Sequence, residues 1–148
     1  MPHSFSCVTV NTRGLNSEQK RRQVFRWLHI NKFQIIFTQE TYCSSEIEKL
    51  WSAEWGGKMF FCHGSKHSKG TVIMLNPSLD AEIIECTMGE KGRIIILEVR
   101  IDSTTFVLVN TYAPNDLAQQ VKFFDNLKGK LVKYANDISL LEVILTAH

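Results

Sequence analysis

The feature that most constrains this chain is a succession of short runs rich in Val, Ile, Phe and Thr, each too short for a helix and bounded by turn-forming residues. They fall at Phe5 to Val10, Phe33 to Thr38, Lys58 to Cys62, Thr71 to Leu75, Glu82 to Cys86, Arg93 to Ile101, Thr105 to Thr111 and Leu140 to Leu145. Asp102 and Ser103 separate two of these runs, which predicts a tight hairpin. Helical periodicity is confined to two segments. After Asn16 and Ser17, either of which can serve as N-cap, Val24, Trp27, Leu28 and Asn31 recur at helical spacing. From Leu117 to Tyr134 the apolar stripe is Leu117, Val121, Phe124, Leu131 and Tyr134, with Gly129 as the point where that helix is expected to break. Many strands with few helices predict a mixed α/β architecture with sheet-on-sheet packing, in one domain over residues 4–148.

Charge and composition narrow the function classes. The 148 residues carry 17 Lys and Arg against 15 Asp and Glu, a net charge of +2 that permits a nucleic-acid partner without requiring one. No apolar run approaches the roughly 18 residues that span a bilayer, so no membrane partner is expected. The opening MPHSFSCVTVNTRG lacks a basic region followed by an apolar stretch, and the chain reads as intracellular rather than secreted. Cys7, Cys43, Cys62 and Cys86 form no Cys-x-x-Cys pair and are expected as free thiols. His63 and His67 lie in a polar, Gly-bounded loop without the neighbours a zinc site needs. Trp27, Trp51 and Trp55 read as core aromatics. Lys20, Arg21, Arg22 and Arg26 form a basic helix face, either simply solvated or touching a DNA backbone.

Polar groups at strand ends are where sites are usually built. Asn11, in Asn11-Thr12-Arg13-Gly14-Leu15, offers an amide donor beside a glycine that allows a sharp turn; an Asx-turn closing a strand is the simpler reading. Glu40 follows the run Ile35-Ile36-Phe37 and would suit a hard divalent cation, although an exposed strand-end Glu is equally common. Tyr112, in Asn110-Thr111-Tyr112-Ala113-Pro114-Asn115, can donate to a phosphate oxygen, with Pro114 fixing the turn that aims it.

The order and spacing of these segments resemble the endonuclease/exonuclease/phosphatase superfamily, most closely the apurinic-type endonuclease domain of non-LTR retrotransposons (LINE-type elements). The resemblance rests on Asn11-Thr12-Arg13-Gly14-Leu15, Gln39-Glu40-Thr41 and Tyr112-Ala113-Pro114-Asn115, with Lys69 to Leu75 and Gly92-Arg93-Ile94-Ile95 as matching strands. It implies a four-layer α/β sandwich and Mg²⁺- or Mn²⁺-dependent hydrolysis of a DNA phosphodiester. Carried over, Glu40 is the metal ligand, Asn11 holds the metal-bound phosphate or the network behind Glu40, Tyr112 donates to the phosphate, and Asn115 shapes the same pocket.

The match is partial. Where such domains continue into Gly-Asp-Phe-Asn, this chain reads Thr146-Ala147-His148, and a Ser-Asp-His segment is likewise missing. The resemblance therefore implies the N-terminal part of the sandwich, with the C-terminal part of the fold absent. It also implies weak or no nuclease activity, because loss of a positioned general base typically costs about 10²–10⁴-fold. It further implies an exposed sheet face at Phe106-Val107-Leu108-Val109, open to self-association. Two readings stay open: a metal-dependent DNA endonuclease domain, or a non-catalytic fragment that binds nucleic acid or a protein partner.

Overall fold

The computed structural model describes residues 4–64, 69–89 and 91–134, and the backbone alone over Ser139–Thr146. The chain alternates short strands with three α-helices: β1 (Cys7–Asn11), α1 (Glu18–Ile30), β2 (Ile35–Gln39), α2 (Glu48–Trp55), β3 (Met59–Cys62), β4 (Thr71–Leu75), β5 (Glu82–Gly89), β6 (Ile94–Ile101), β7 (Thr104–Tyr112), α3 (Leu117–Leu131) and β8 (Ser139–Thr146). One sheet has the order β1-β2-β4-β3 and the other β5-β6-β7-β8. The parallel pairs are β1 with β2 and β7 with β8, each joined through a helix, while the remaining pairs are antiparallel. The β6–β7 hairpin closes through Asp102 and Ser103, both at positive φ (50° and 68°), the turn that matches strand twist.

Strand alternation sorts the side chains into layers. Ile35, Phe37, Ile73 and Leu75 of the first sheet meet Ile95, Leu97, Val99 and Leu108 of the second, forming the central core. On the far side of the first sheet, Ile36, Val72 and Met74 pack against Phe25 and Leu28 of α1 and Trp51 and Trp55 of α2. On the far side of the second, Ile94, Ile96, Val107 and Val109 pack under Phe123 and Leu127 of α3. The result is four layers: helices, sheet, sheet, helix. Every residue of β2 and β4 is buried, as expected for strands covered on both faces.

Several expectations need correction. The face Phe106-Val107-Leu108-Val109 is fully covered, with Phe106 and Leu108 against the first sheet and Val107 and Val109 under α3. α3 runs through Gly129 without a break, and it is Phe123 and Leu127 that it buries. Leu117 and Val121 lie outward, 76% and 63% exposed. α1 buries Arg21, Phe25 and Leu28, leaving Trp27 46% exposed. α2 was not foreseen, and it supplies the buried Trp51 and Trp55.

Of the basic residues of α1, Arg22 and Arg26 are exposed, Lys20 is half-buried and Arg21 is buried. The Arg21 guanidinium, buried, donates to both Glu54 oxygens (3.0 and 3.1 Å) and to the Leu15 carbonyl (3.0 Å). Lys20 Nζ donates to the Thr12 carbonyl at 2.5 Å, and Arg22 pairs with Glu18 one turn away. Ser17 is the N-cap, accepting from the Lys20 amide. All four cysteines are free thiols, and burial pushes Cys43 up to about 12, so it stays protonated. His63 hydrogen-bonds Glu48; His67 and His148 lie outside the described residues. No helix among the described residues is long and apolar enough to cross a membrane.

Candidate active site

The site forms where β2 and β7 end side by side. At the end of β2 and just past it, residues 39–42 are held from both flanks by backbone hydrogen bonds. Thr12 N donates to Gln39 O (3.0 Å), Gly14 N to Glu40 O (2.6 Å) and Leu15 N to Thr41 O (3.1 Å). On the other flank Thr41 N donates to Gly70 O (3.3 Å) and Tyr42 N to Lys69 O (2.8 Å). The Thr12 hydroxyl adds bonds to the carbonyls of Gln39 (3.0 Å) and Glu40 (3.1 Å). This bracing sustains left-handed backbone at Glu40 (φ 54°) and Tyr42 (φ 58°), a conformation uncommon for bulky residues and concentrated at functional positions.

Glu40 is buried, and its Oε1 accepts a hydrogen bond from the Tyr112 hydroxyl at 2.8 Å. Residues 72 positions apart in sequence thus form one acid–phenol pair. Burial, and then the Glu40 carboxylate, push the Tyr112 phenol up to about 12, so it remains a donor at neutral pH. Two cations flank the pair. Lys69 Nζ lies 3.7 Å from Glu40 Oε1, and its own pKa is raised by Tyr42 and then Glu40. Arg93 donates to the Tyr112 carbonyl at 3.0 Å, with its guanidinium 5.4 Å from the centre of the Tyr112 ring.

Beneath the pair lies a buried amide network. Asn110 of β7 donates to the carbonyls of Thr38 (2.9 Å) and Val72 (3.0 Å), crossing from the second sheet to the first. Its own oxygen accepts from Gln39 Nε2 at 2.9 Å, and Gln39 also reaches the Thr9 hydroxyl at 3.1 Å. A fully satisfied polar network in a dry interior fixes register more sharply than apolar packing does.

The four residues singled out from sequence fare differently. Glu40 and Tyr112 are in direct contact. Asn11 ends β1 opposite Gln39 in the parallel ladder, half-buried, with its side-chain oxygen accepting from Arg13 N at 3.2 Å, an Asx-turn beside the Glu40 segment. Asn115 is exposed in the loop before α3, and its backbone carbonyl accepts from Gln120 Nε2 at 3.5 Å. Lys69, Arg93, Gln39 and Asn110 surround the pair and were not singled out as site residues. Their sequence signal was limited to membership of the matching strands and motifs.

Among the described residues no group of three or more His, Cys, Asp or Glu could by itself hold a metal ion. The donor set around Glu40 offers one carboxylate. One carboxylate among the described residues fits Mg²⁺, which keeps several waters and commonly takes one or two carboxylates.

Comparison with known proteins agrees with this architecture. No protein-family model matches the chain. In sequence it is similar to the transposon TX1 uncharacterized 149 kDa protein of Xenopus laevis, 31% identical over 138 residues. Those residues are 93% of this chain but only 11% of that protein. Among solved structures, an endonuclease/exonuclease/phosphatase family protein from Bacteroides thetaiotaomicron superposes with a TM-score of 0.71 at 15% identity, covering 99% of this chain and 64% of its own. D. rerio TDP2, solved in complex with a single-strand DNA product, superposes with a TM-score of 0.65 at 19% identity, covering 88% of this chain and 55% of its own. The chain therefore has the fold of the endonuclease/exonuclease/phosphatase superfamily, over rather less than two thirds of the length of these structures. Its similarity in sequence is to a transposon-encoded protein.

Proposed function

We propose that the Glu40–Tyr112 site is the cation- and phosphate-binding part of a phosphodiesterase centre acting on DNA, of the non-LTR retrotransposon endonuclease type. The observation that carries this reading is the 2.8 Å contact between a buried carboxylate and a phenol at the mouth of the two sheets, flanked by Lys69 and Arg93. Glu40 would hold Mg²⁺ or Mn²⁺, and the bound cation would supply charge neutralisation at a phosphate. Tyr112, kept protonated, would donate to a phosphate oxygen. Asn11 would support the loop that presents Glu40, and Asn115 would line the approach. The similarity to a transposon-encoded protein, and the single-strand DNA product bound to D. rerio TDP2, favour DNA over other phosphodiesters.

The 148 residues contain neither Gly-Asp-Phe-Asn nor Ser-Asp-His, so they bring no general-base Asp from the first segment and no phosphate-binding His from the second. This stretch of chain by itself would bind a DNA phosphodiester far better than it cleaves one, which favours the non-catalytic reading for the 148 residues in isolation. Residues 4–148 would act as one partial domain. The experiment is nicking of supercoiled plasmid, alongside binding of a labelled oligonucleotide, with Mg²⁺, with chelator, and with Glu40→Ala. Metal-dependent binding lost in Glu40→Ala, with nicking at background, is the expected result. Binding that ignores both metal and Glu40 would overturn the reading.

A further inference from the structure

Tyr42 is the one aromatic side chain in the braced segment 39–42, and it stands half-exposed beside Glu40 with Lys69 over its ring. Its φ of 58° is a conformation that bulky side chains seldom adopt. The residue is 45% exposed, whereas the aromatics Phe37, Trp51 and Trp55 are buried. One edge of the ring rests on Gly14, where a Cβ would lie 3.2 Å from Tyr42 Cδ2, so a glycine at that position leaves room for the ring. Lys69 spans the distance between ring and carboxylate, with Nζ 5.8 Å from the ring centre and 3.7 Å from Glu40 Oε1. An aromatic ring, an ammonium and a buried carboxylate thus adjoin one another.

That set of groups suits the chemistry of one nucleotide. A phosphate is met by charge, and the base attached to it is met by a flat apolar surface. We infer that Tyr42 and Lys69 form a nucleoside subsite, in which the Tyr42 ring stacks on an unpaired base next to the phosphate held at Glu40 and Lys69 contacts that nucleotide's phosphate. An aromatic face can take a base only when the base has left its neighbours, so the substrate class is single-stranded or frayed DNA rather than intact duplex. This inference rests on the phosphodiester-binding reading of the Glu40 site.

The test compares two labelled oligomers of equal length, one of thymidylate and one of abasic phosphodiester units, binding to the 148-residue protein with Ca²⁺. Tyr42→Leu keeps apolar bulk against Gly14 but removes the aromatic face, and Tyr42→Phe keeps the face. The thymidylate oligomer is expected to bind Tyr42→Leu roughly 5- to 150-fold more weakly than wild type. Tyr42→Phe should bind it as wild type does, and the abasic oligomer should not distinguish the three proteins. Lys69→Gln should weaken both oligomers. Equal weakening of both oligomers by Tyr42→Leu, no weakening of either, or a Tyr42→Phe protein as impaired as Tyr42→Leu would each overturn the subsite. Glu40→Ala on the abasic oligomer tests the underlying reading separately, because that oligomer has no base to stack. If wild type binds neither oligomer, subsite and reading fall together.

Discussion

The side-chain amide of Gln39 donates to that of Asn110 at 2.9 Å across the gap between the two sheets. Gln39 immediately precedes Glu40, and Asn110 stands two residues before Tyr112, so this one bond ties the strand carrying the carboxylate to the strand carrying the phenol. Asn110→Leu would leave the carbonyls of Thr38 and Val72 and the Gln39 amide short of a partner in a dry interior. Chemical denaturation should show a loss of about 1–3 kcal/mol, because each group gives up one buried partner while Val72 keeps the Thr38 hydroxyl and Gln39 keeps the Thr9 hydroxyl. A loss below about 0.5 kcal/mol would mean that the network does not hold the sheets in register.

Tyr112→Phe removes a hydrogen bond to a buried carboxylate while keeping the ring under Arg93. Bonds to charged groups contribute about 1.5–3 kcal/mol, and the variant should lose stability in that range at neutral pH. Its denaturation midpoint against wild type is the measurement.

The pH dependence has a definite sign. The Tyr112 phenol is raised from its usual value near 10 to about 12, so the folded protein holds this proton more tightly than the unfolded chain does. The stability it contributes is fully present below pH 10 and is lost as the pH climbs through about 12. In an ultraviolet phenolate titration, the difference between wild type and Tyr112→Phe should show a component with its midpoint near 12. A component near 10 would place the phenol in water rather than against Glu40.

Arg21 makes an ion pair whose loss should be costly. Arg21→Ala leaves Glu54 and the Leu15 carbonyl without their buried donor. Breaking such a pair costs about 3–5 kcal/mol when both partners are buried, and about 2–4 kcal/mol is expected here because Glu54 is partly exposed. Arg21→Lys keeps the charge but not the two-pronged geometry, and thermal melting should place it between Ala and wild type.

Gly129 sits inside α3, and a Cβ added there would meet nothing within 4 Å. Gly129→Ala should therefore stabilise the protein by about 0.5–1 kcal/mol, read from the shift in unfolding midpoint.

Where the sequence was legible and where it was not follows from how local each signal is. Thr71 to Leu75 was read with the bounds of β4, because a short β-branched run flanked by glycine and proline carries its own evidence. α2 escapes a sequence reading because its eight residues, Glu48–Trp55, make barely two turns and bury only Trp51 and Trp55, too few positions for a period to emerge. In α3, Leu117, Val121 and Phe124 form one apolar stripe and Phe123 and Leu127 begin another. Only the groove over Ile96 and Val107 decides that the second one packs inward. At the site, the strand-end positions of Glu40 and Tyr112 are legible locally, but it is the resemblance of their combined motifs to one family that singles them out. The parts played by Lys69, Arg93, Gln39 and Asn110 exist only once distant strands are brought together, and no local pattern announces them.

The central claim is that Glu40 and Tyr112 present a cation- and phosphate-binding site. Titration of the protein with Mn²⁺, followed by the loss of the free-ion electron paramagnetic resonance signal, tests it most directly. The account predicts Mn²⁺ binding that Mg²⁺ displaces, that Glu40→Ala abolishes and that Tyr112→Phe retains. Binding equal in wild type and Glu40→Ala, or no binding by folded wild type, would contradict it.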